Sequence, residues 1–161
     1  MSGWYALIDT AQDDRLYPLV QQCANRACLF SGELPPVLAA ASPWLVAIDE
    51  SEPLLDIWQR HGTGRHWGIL LESALPLAEV RKHARKFLQA MLPDGAVAMF
   101  RFFDPRVFLT YLPSAPPEQQ AAWFDGVTQF AVEGVDGAQH SFRWRRGQLF
   151  DGDAPVAGGM A

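Results

Sequence analysis

Asp9 and Asp104 are the two carboxylates of this chain best placed to do chemistry. Each follows the apolar stretch of an expected strand, so a parallel sheet would bring both to one rim. Paired carboxylates there can work as acid and base, because differing environments drive their pKa values apart. The same positions suit helix caps: an aspartate accepts from the free N–H groups of a first turn, and Pro105 fits the first helical position. Arg101, between Phe100 and Phe102, needs a partner if its strand is internal. Asp9, Asp104 and Asp49 are candidates within the chain, and a bound peptide carboxylate or carbonyl is the alternative.

Other constellations are weaker. His61 and His66 bracket Gly62-Thr63-Gly64-Arg65, which lacks the glycine spacing and the Gly-Lys-Ser/Thr ending of a phosphate loop. Cys28 and His66 share only the residue types of a thiolate–imidazole pair. Cys23 and Cys28 are too few and too close for a disulfide framework, and they lack the paired histidines of a zinc site. No Gly-x-Ser-x-Gly elbow presents a serine. The expectation is a protein that is not an enzyme and needs no metal or cofactor. A small hydrolase or transferase on the Asp9/Asp104 rim is the alternative.

The elements that must hold these residues follow from periodicity. Strands are expected over Trp4–Ile8, Ala27–Phe30, Trp44–Ile48, His66–Glu72 and Ala96–Phe103, the last because Phe100-Arg101-Phe102 alternates at period two. Helices are expected from Asp13 or Asp14 to Gln22, over Leu34–Ala41, and from Glu52 to Arg60 with Asp49 or Ser51 as cap. Further helices are expected over Asp104–Leu112 and Pro117–Phe124. The clearest helix spans Pro76–Leu92, where Leu77, Val80, Ala84, Phe87, Leu88 and Met91 form one stripe. Val127–Glu133 and Ser141–Gln148 close the fold as an antiparallel hairpin. Strands alternating with helices imply an α/β domain over residues 1–150, its sheet mixed and mostly parallel with helices on its faces. Residues 151–161, small and Gly-rich, are expected to be a disordered tail.

The 161 residues suffice for one domain with a sizeable core. A formal net charge of −5 argues against general nucleic-acid binding, which relies on clustered Lys and Arg. Arg81, Lys82, Arg85 and Lys86 nonetheless fall together, as do Arg143, Arg145 and Arg146; each group is either a solvated face or a patch for an acidic partner. No apolar run approaches the roughly 20 residues of a membrane helix. No basic stretch followed by an apolar core marks a secretory signal. With the reduced cysteines, this gives a cytoplasmic expectation and no membrane partner.

Phe100-Arg101-Phe102-Phe103-Asp104-Pro105-Arg106 resembles the signature of the domain of unknown function 4123 family, the effector adaptors of the bacterial type VI secretion system. Tyr5-Ala6-Leu7-Ile8-Asp9, Asp14-Arg15-Leu16-Tyr17-Pro18-Leu19, Ser42-Pro43-Trp44-Leu45-Val46 and Ser51-Glu52-Pro53-Leu54-Leu55 match in order. His66-Trp67-Gly68-Ile69-Leu70-Leu71-Glu72-Ser73, Tyr111-Leu112-Pro113 and Pro117-Glu118-Gln119-Gln120 continue the match, so the resemblance runs from about Tyr5 to Gly134. It implies a short form without the additional helical lobe of many members. It also implies a non-enzymatic chaperone that binds a secreted effector and loads it onto a VgrG-type spike or its PAAR-type tip. An immunity-type toxin-binding protein is a further alternative.

A binding protein directs attention to its aromatic and arginine residues. Six tryptophans and ten phenylalanines are many for this length, and tryptophan is enriched in interface hot spots. Arg101, Asp104 and Arg106 at the signature corner, with Trp123, Arg143, Trp144 and Arg145, are the expected partner-binding residues. The final hairpin, with Trp144 between Arg143 and Arg145, is the expected docking edge, and the Arg81/Lys82/Arg85/Lys86 face is the reserve.

Overall fold

Residues 5–9 of the first strand are all buried, and their alternation sets the architecture. Tyr5 and Leu7 join one core cluster, and Ala6 and Ile8 join a second on the opposite face. This is a computed structural model, and it describes residues 3–49 and 53–156. In chain order the strands are β1 (Gly3–Asp9), β2 (Arg26–Cys28), β3 (Pro43–Ile48), β4 (Gly68–Ser73), β5 (Gln89–Met91), β6 (Val97–Met99), β7 (Val127–Glu133), β8 (Gln139–Arg145), β9 (Gln148–Asp151) and β10 (Ala154–Pro155). The helices are α1 (Leu16–Gln21), α2 (Pro36–Ala39), α3 (Leu54–Ile57), α4 (Leu77–Arg85), α5 (Pro105–Ser114) and α6 (Pro117–Trp123).

The sheet is antiparallel, not mostly parallel. Eight strands run in the order β10-β9-β8-β7-β4-β1-β3-β2, and every neighbouring pair is antiparallel. Alternation of strand and helix in the sequence fixes the elements but not their direction. Here β1 receives β3 on one edge and β4 on the other, so the helical connections cover the faces of an antiparallel sheet. Leu16 and Val20 of α1 and Leu54 of α3 seal the face with Ala6, Ile8, Val46 and Trp67. Val80 and Ala84 of α4, Phe108 and Leu112 of α5 and Trp123 of α6 seal the other, against Leu7, Leu45, Ile69, Leu71, Phe130 and Phe142.

Two local expectations are also corrected. The long helix stops at Arg85, and Gln89–Met91 turns back as β5 against β6, forming a separate two-stranded sheet. Pro93-Asp94-Gly95 forms the hairpin turn, with Gly95 at φ +87 where a side chain would strain the backbone. The expected strand to Phe103 ends at Met99, and Phe102 and Phe103 lie in a turn. Both adjacent rings enter the same core cluster, which a turn permits and a strand, whose successive side chains point to opposite faces, does not.

At the other end, Gln148–Asp151 continues the sheet, and Ala154–Pro155 pairs with it, so residues 151–156 are not a disordered tail. Residues 157–161 of that expected tail lie outside the described residues, as do Ser51 and Glu52 of the expected α3 cap and start. No helix among the described residues is long and apolar enough to cross a membrane.

Candidate functional site

The signature corner is built around Asp9, fully buried at the end of β1. One carboxylate oxygen accepts from the Ala11 N–H at 3.1 Å and caps the short 3-10 turn Thr10–Gln12. The other accepts from Gln12 Nε2 at 3.2 Å and from Arg101 Nη2 at 2.7 Å. Arg101 thus reaches back across the fold to Asp9, and its guanidinium lies 5.7 Å from the Phe103 ring centroid. Asp104 caps α5 by accepting from the Arg106 N–H at 2.9 Å and also takes Arg106 Nε and Nη2 at 3.0 and 2.7 Å. Burial pushes the Asp104 carboxyl up, but the side-chain and backbone hydrogen bonds of Arg106, with its charge, outweigh that and hold it below its ordinary value. The two expected rim carboxylates therefore lie in separate arginine pairs.

This geometry makes the corner unequal in its two halves. Arg101→Ala would strand a carboxylate with no exposed surface, whereas Asp9→Asn would leave a half-solvated guanidinium free to hydrate. Breaking a fully buried pair costs about 3–5 kcal/mol. The solvated arginine lowers that to about 2 kcal/mol for Arg101→Ala, with a smaller loss in Asp9→Asn. Urea denaturation of both variants checks the order; equal losses would contradict it.

Trp123 is not a surface anchor. It is buried at the centre of the aromatic cluster, stacked on Phe87 at 3.7 Å and edge-on to Phe102, Phe108 and Phe100 at 5.0, 5.3 and 6.4 Å. Beside it an open groove of about 500 Å3 is lined by Lys86, Phe87, Gln89, Phe100, Tyr111, Gln119, Ala122 and Trp123. The Tyr111 hydroxyl donates to Gln119 Oε1 at 3.1 Å, fixing the rim. A second groove of about 270 Å3 follows, between the Phe30–Ser31 loop and β5–β6, and Gln89 lines both.

His83 ties α4 to α6, its Nε2 lying 2.9 Å from the Trp123 carbonyl oxygen. Burial lowers its pKa, against a smaller raising effect of that carbonyl. A histidine whose folded pKa lies below the unfolded value, about 6.5, gives stability that is present above pH 6.5 and lost as pH falls through the folded value. Wild type should therefore lose stability relative to His83→Gln between pH 7.5 and 5, at up to about 1.4 kcal/mol per pH unit. Parallel denaturant titrations at each pH test this, and a pH-independent difference would refute it.

The final hairpin is not an edge. β8 has β7 on one side and β9 on the other. Trp144 shares the face of Phe142 and packs, half-buried, against the main core. Arg143, on the opposite face, donates to Gln129 Oε1 at 3.2 Å, within a network joining Ser141 and Glu72. Arg145 is exposed. On α4, Arg81 donates to the Cys28 and Phe30 carbonyls and Arg85 to that of Leu29, so these two fasten the β2 region, while Lys82 and Lys86 are exposed. Sequence reasoning named Phe87 in a helix stripe and Tyr111 and Gln119 in matching motifs, but not as groove residues, and it passed over the β5–β6 hairpin. The Asp94-Gly95 turn flanked by Gln89–Met91 and Val97–Met99 was the signal for the last.

Among the described residues, no three His, Cys, Asp or Glu side chains group to hold a metal. A family model described as a domain of unknown function (DUF4123) matches residues 4–122, from β1 through nearly all of α6, and so includes the Asp9–Arg101 corner and every lining residue of the two grooves except Trp123. No curated protein and no solved structure matches the chain. With most of its length covered by that model, the chain belongs to the DUF4123 family.

Proposed function

We propose that this protein is a non-catalytic adaptor of type VI secretion, acting in the cytoplasm to hold an effector and help load it onto a VgrG-type spike or its PAAR-type tip. Membership of the DUF4123 family, whose signature resembles that of such adaptors, supports this reading. The observation that carries it is the contrast between rim and groove. Asp9 with Arg101 and Asp104 with Arg106 are engaged in two separate pairs, while the aromatic groove is open and shares Gln89 with the second groove, which exposed Val97 and Met99 line. Apolar, aromatic surface rimmed by a few polar groups suits protein binding.

Deleting the gene should abolish secretion of one effector while other effectors of the same machine are still secreted, and the purified chain should capture that effector. Undisturbed secretion of every effector would reject the adaptor. Rescue from effector toxicity without a secretion defect would point to immunity instead. Turnover of an ester, phosphoester, peptide or glycan, lost in Asp9→Asn or Asp104→Asn, would point to an enzyme.

A further inference from the structure

We propose that β6 is a docking edge for an extended acidic segment of a partner protein, which pairs alongside Val97–Met99 and seats apolar side chains in the adjoining grooves. The inference rests on reading the chain as a protein-binding module, and it names where and how the binding occurs.

The main chain carries the first part of the argument. The Phe100 N–H donates to the Leu88 carbonyl at 2.7 Å and the Leu92 N–H to the Ala96 carbonyl at 2.8 Å. Antiparallel neighbours alternate between hydrogen-bonded and non-bonded pairs. With Ala98 opposite Ala90, Ala98 turns its N–H and C=O towards β5, while Val97 and Met99 turn theirs away. Among the described residues β5 is the strand that pairs with β6, and the other edge of β6 has no strand. Such an edge is a template for one more strand, and proteins ordinarily blunt it with a charge, a proline or a bulge. Val97-Ala98-Met99 has no charge and no proline, and Val97 and Met99 are 61% and 48% exposed.

The side chains carry the second part. The groove of about 270 Å3 touches all three residues of β6, with Phe30 and Leu88 as apolar walls. Its charged lining residue is Arg85, and that of the groove of about 500 Å3 is Lys86. Arg85 donates to the Leu29 carbonyl, a neutral acceptor. Lys82, one turn before Lys86 and exposed, adds a further cation on the same helix face. Neither lining holds a carboxylate, although the whole chain carries −5. Cations beside an apolar, unpaired edge select an extended chain that alternates acidic with apolar residues, since strand addition takes affinity from the main chain and specificity from alternate side chains.

The test uses a phage-displayed library of random nine-residue peptides, selected on the full-length protein. Val97→Pro is the discriminating variant. Its lost N–H faces outward, so the β5 ladder stays intact, as edge prolines allow. Met99→Glu is the second, placing a like charge where acidic peptides would lie. Circular dichroism confirms that each is folded. Peptides enriched on wild type should alternate acidic and apolar residues. The best one, made synthetically, should bind at least tenfold more weakly to Val97→Pro and Met99→Glu, and N-methylation of its backbone should weaken it similarly. No enrichment, or equal binding by folded Val97→Pro, overturns the proposal. Self-association of the wild type that Val97→Pro abolishes, with no peptide selected, overturns it in favour of a second copy. Peptide binding lost in Val97→Pro supports the edge even if secretion is unaffected, an outcome that would count against the adaptor reading alone.

Discussion

Trp123→Ala is expected to lose about 3–5 kcal/mol of stability and to melt some 10–15 °C below wild type. The indole is 2% exposed and touches rings from three directions: Phe87 from the turn after α4, Phe100 and Phe102 from the segment between β6 and α5, and Phe108 from α5. Truncation removes its burial and leaves a cavity that rigid rings cannot close. Trp123→Phe keeps a ring stacked on Phe87 and should recover most of the loss, because the indole N–H contributes only a long 3.5 Å contact to the Tyr111 hydroxyl. Trp144→Ala, at a half-buried ring on the core's margin, should cost less than half as much. Thermal melts of the three variants rank them. If Trp144→Ala proves the more damaging, the cluster is not centred on α6.

The same comparison shows where sequence reading succeeds and where it stops. Val127–Glu133 and the Asp104 cap were legible, because period-two burial and an Asp-Pro helix start are encoded within a few neighbouring residues. Strand direction was not legible, because nothing in β1 distinguishes an antiparallel neighbour from a parallel one when both of its faces are covered. Arg101 shows a subtler failure. Its alternation with Phe100 and Phe102 imitates a strand, yet the segment is a turn, and the rings are apolar because the turn is pressed into the core. Asp9 was among its expected partners, but the choice among three aspartates needed the fold. In the sequence Trp144 sits between two arginines, whereas Trp123 sits between Ala122 and Phe124. Composition suggested an interface for each, and tertiary packing took both rings into the core's edge or centre.

Gly68→Ala should be among the most damaging single-methyl additions in the chain. Gly68 opens β4 opposite Ile8 of β1. A Cβ there would overlap the Leu7 carbonyl oxygen and come within 2.9 Å of its carbon and 3.0 Å of the Ile8 Cα. The obstacle is backbone, not the end of a flexible side chain, so relief requires parting β4 from β1 in the middle of the sheet. Overpacking commonly costs about 1–3 kcal/mol. Displacing two paired strands that also anchor Asp9 places this case at about 3 kcal/mol or more, seen as a large fall in melting temperature or loss of soluble protein. Gly64→Ala separates this steric effect from backbone strain. Gly64 has φ +77 with open space around its Cβ position, so alanine there should cost only about 1–2 kcal/mol from the left-handed conformation. A melting temperature for Gly68→Ala within a few degrees of wild type would mean that β1 and β4 are not so closely apposed. Fold loss in Gly68→Ala beside a mild Gly64→Ala would explain the Trp67-Gly68 pairing in the sequence, with the indole buried in the second core and the glycine admitting the neighbouring strand.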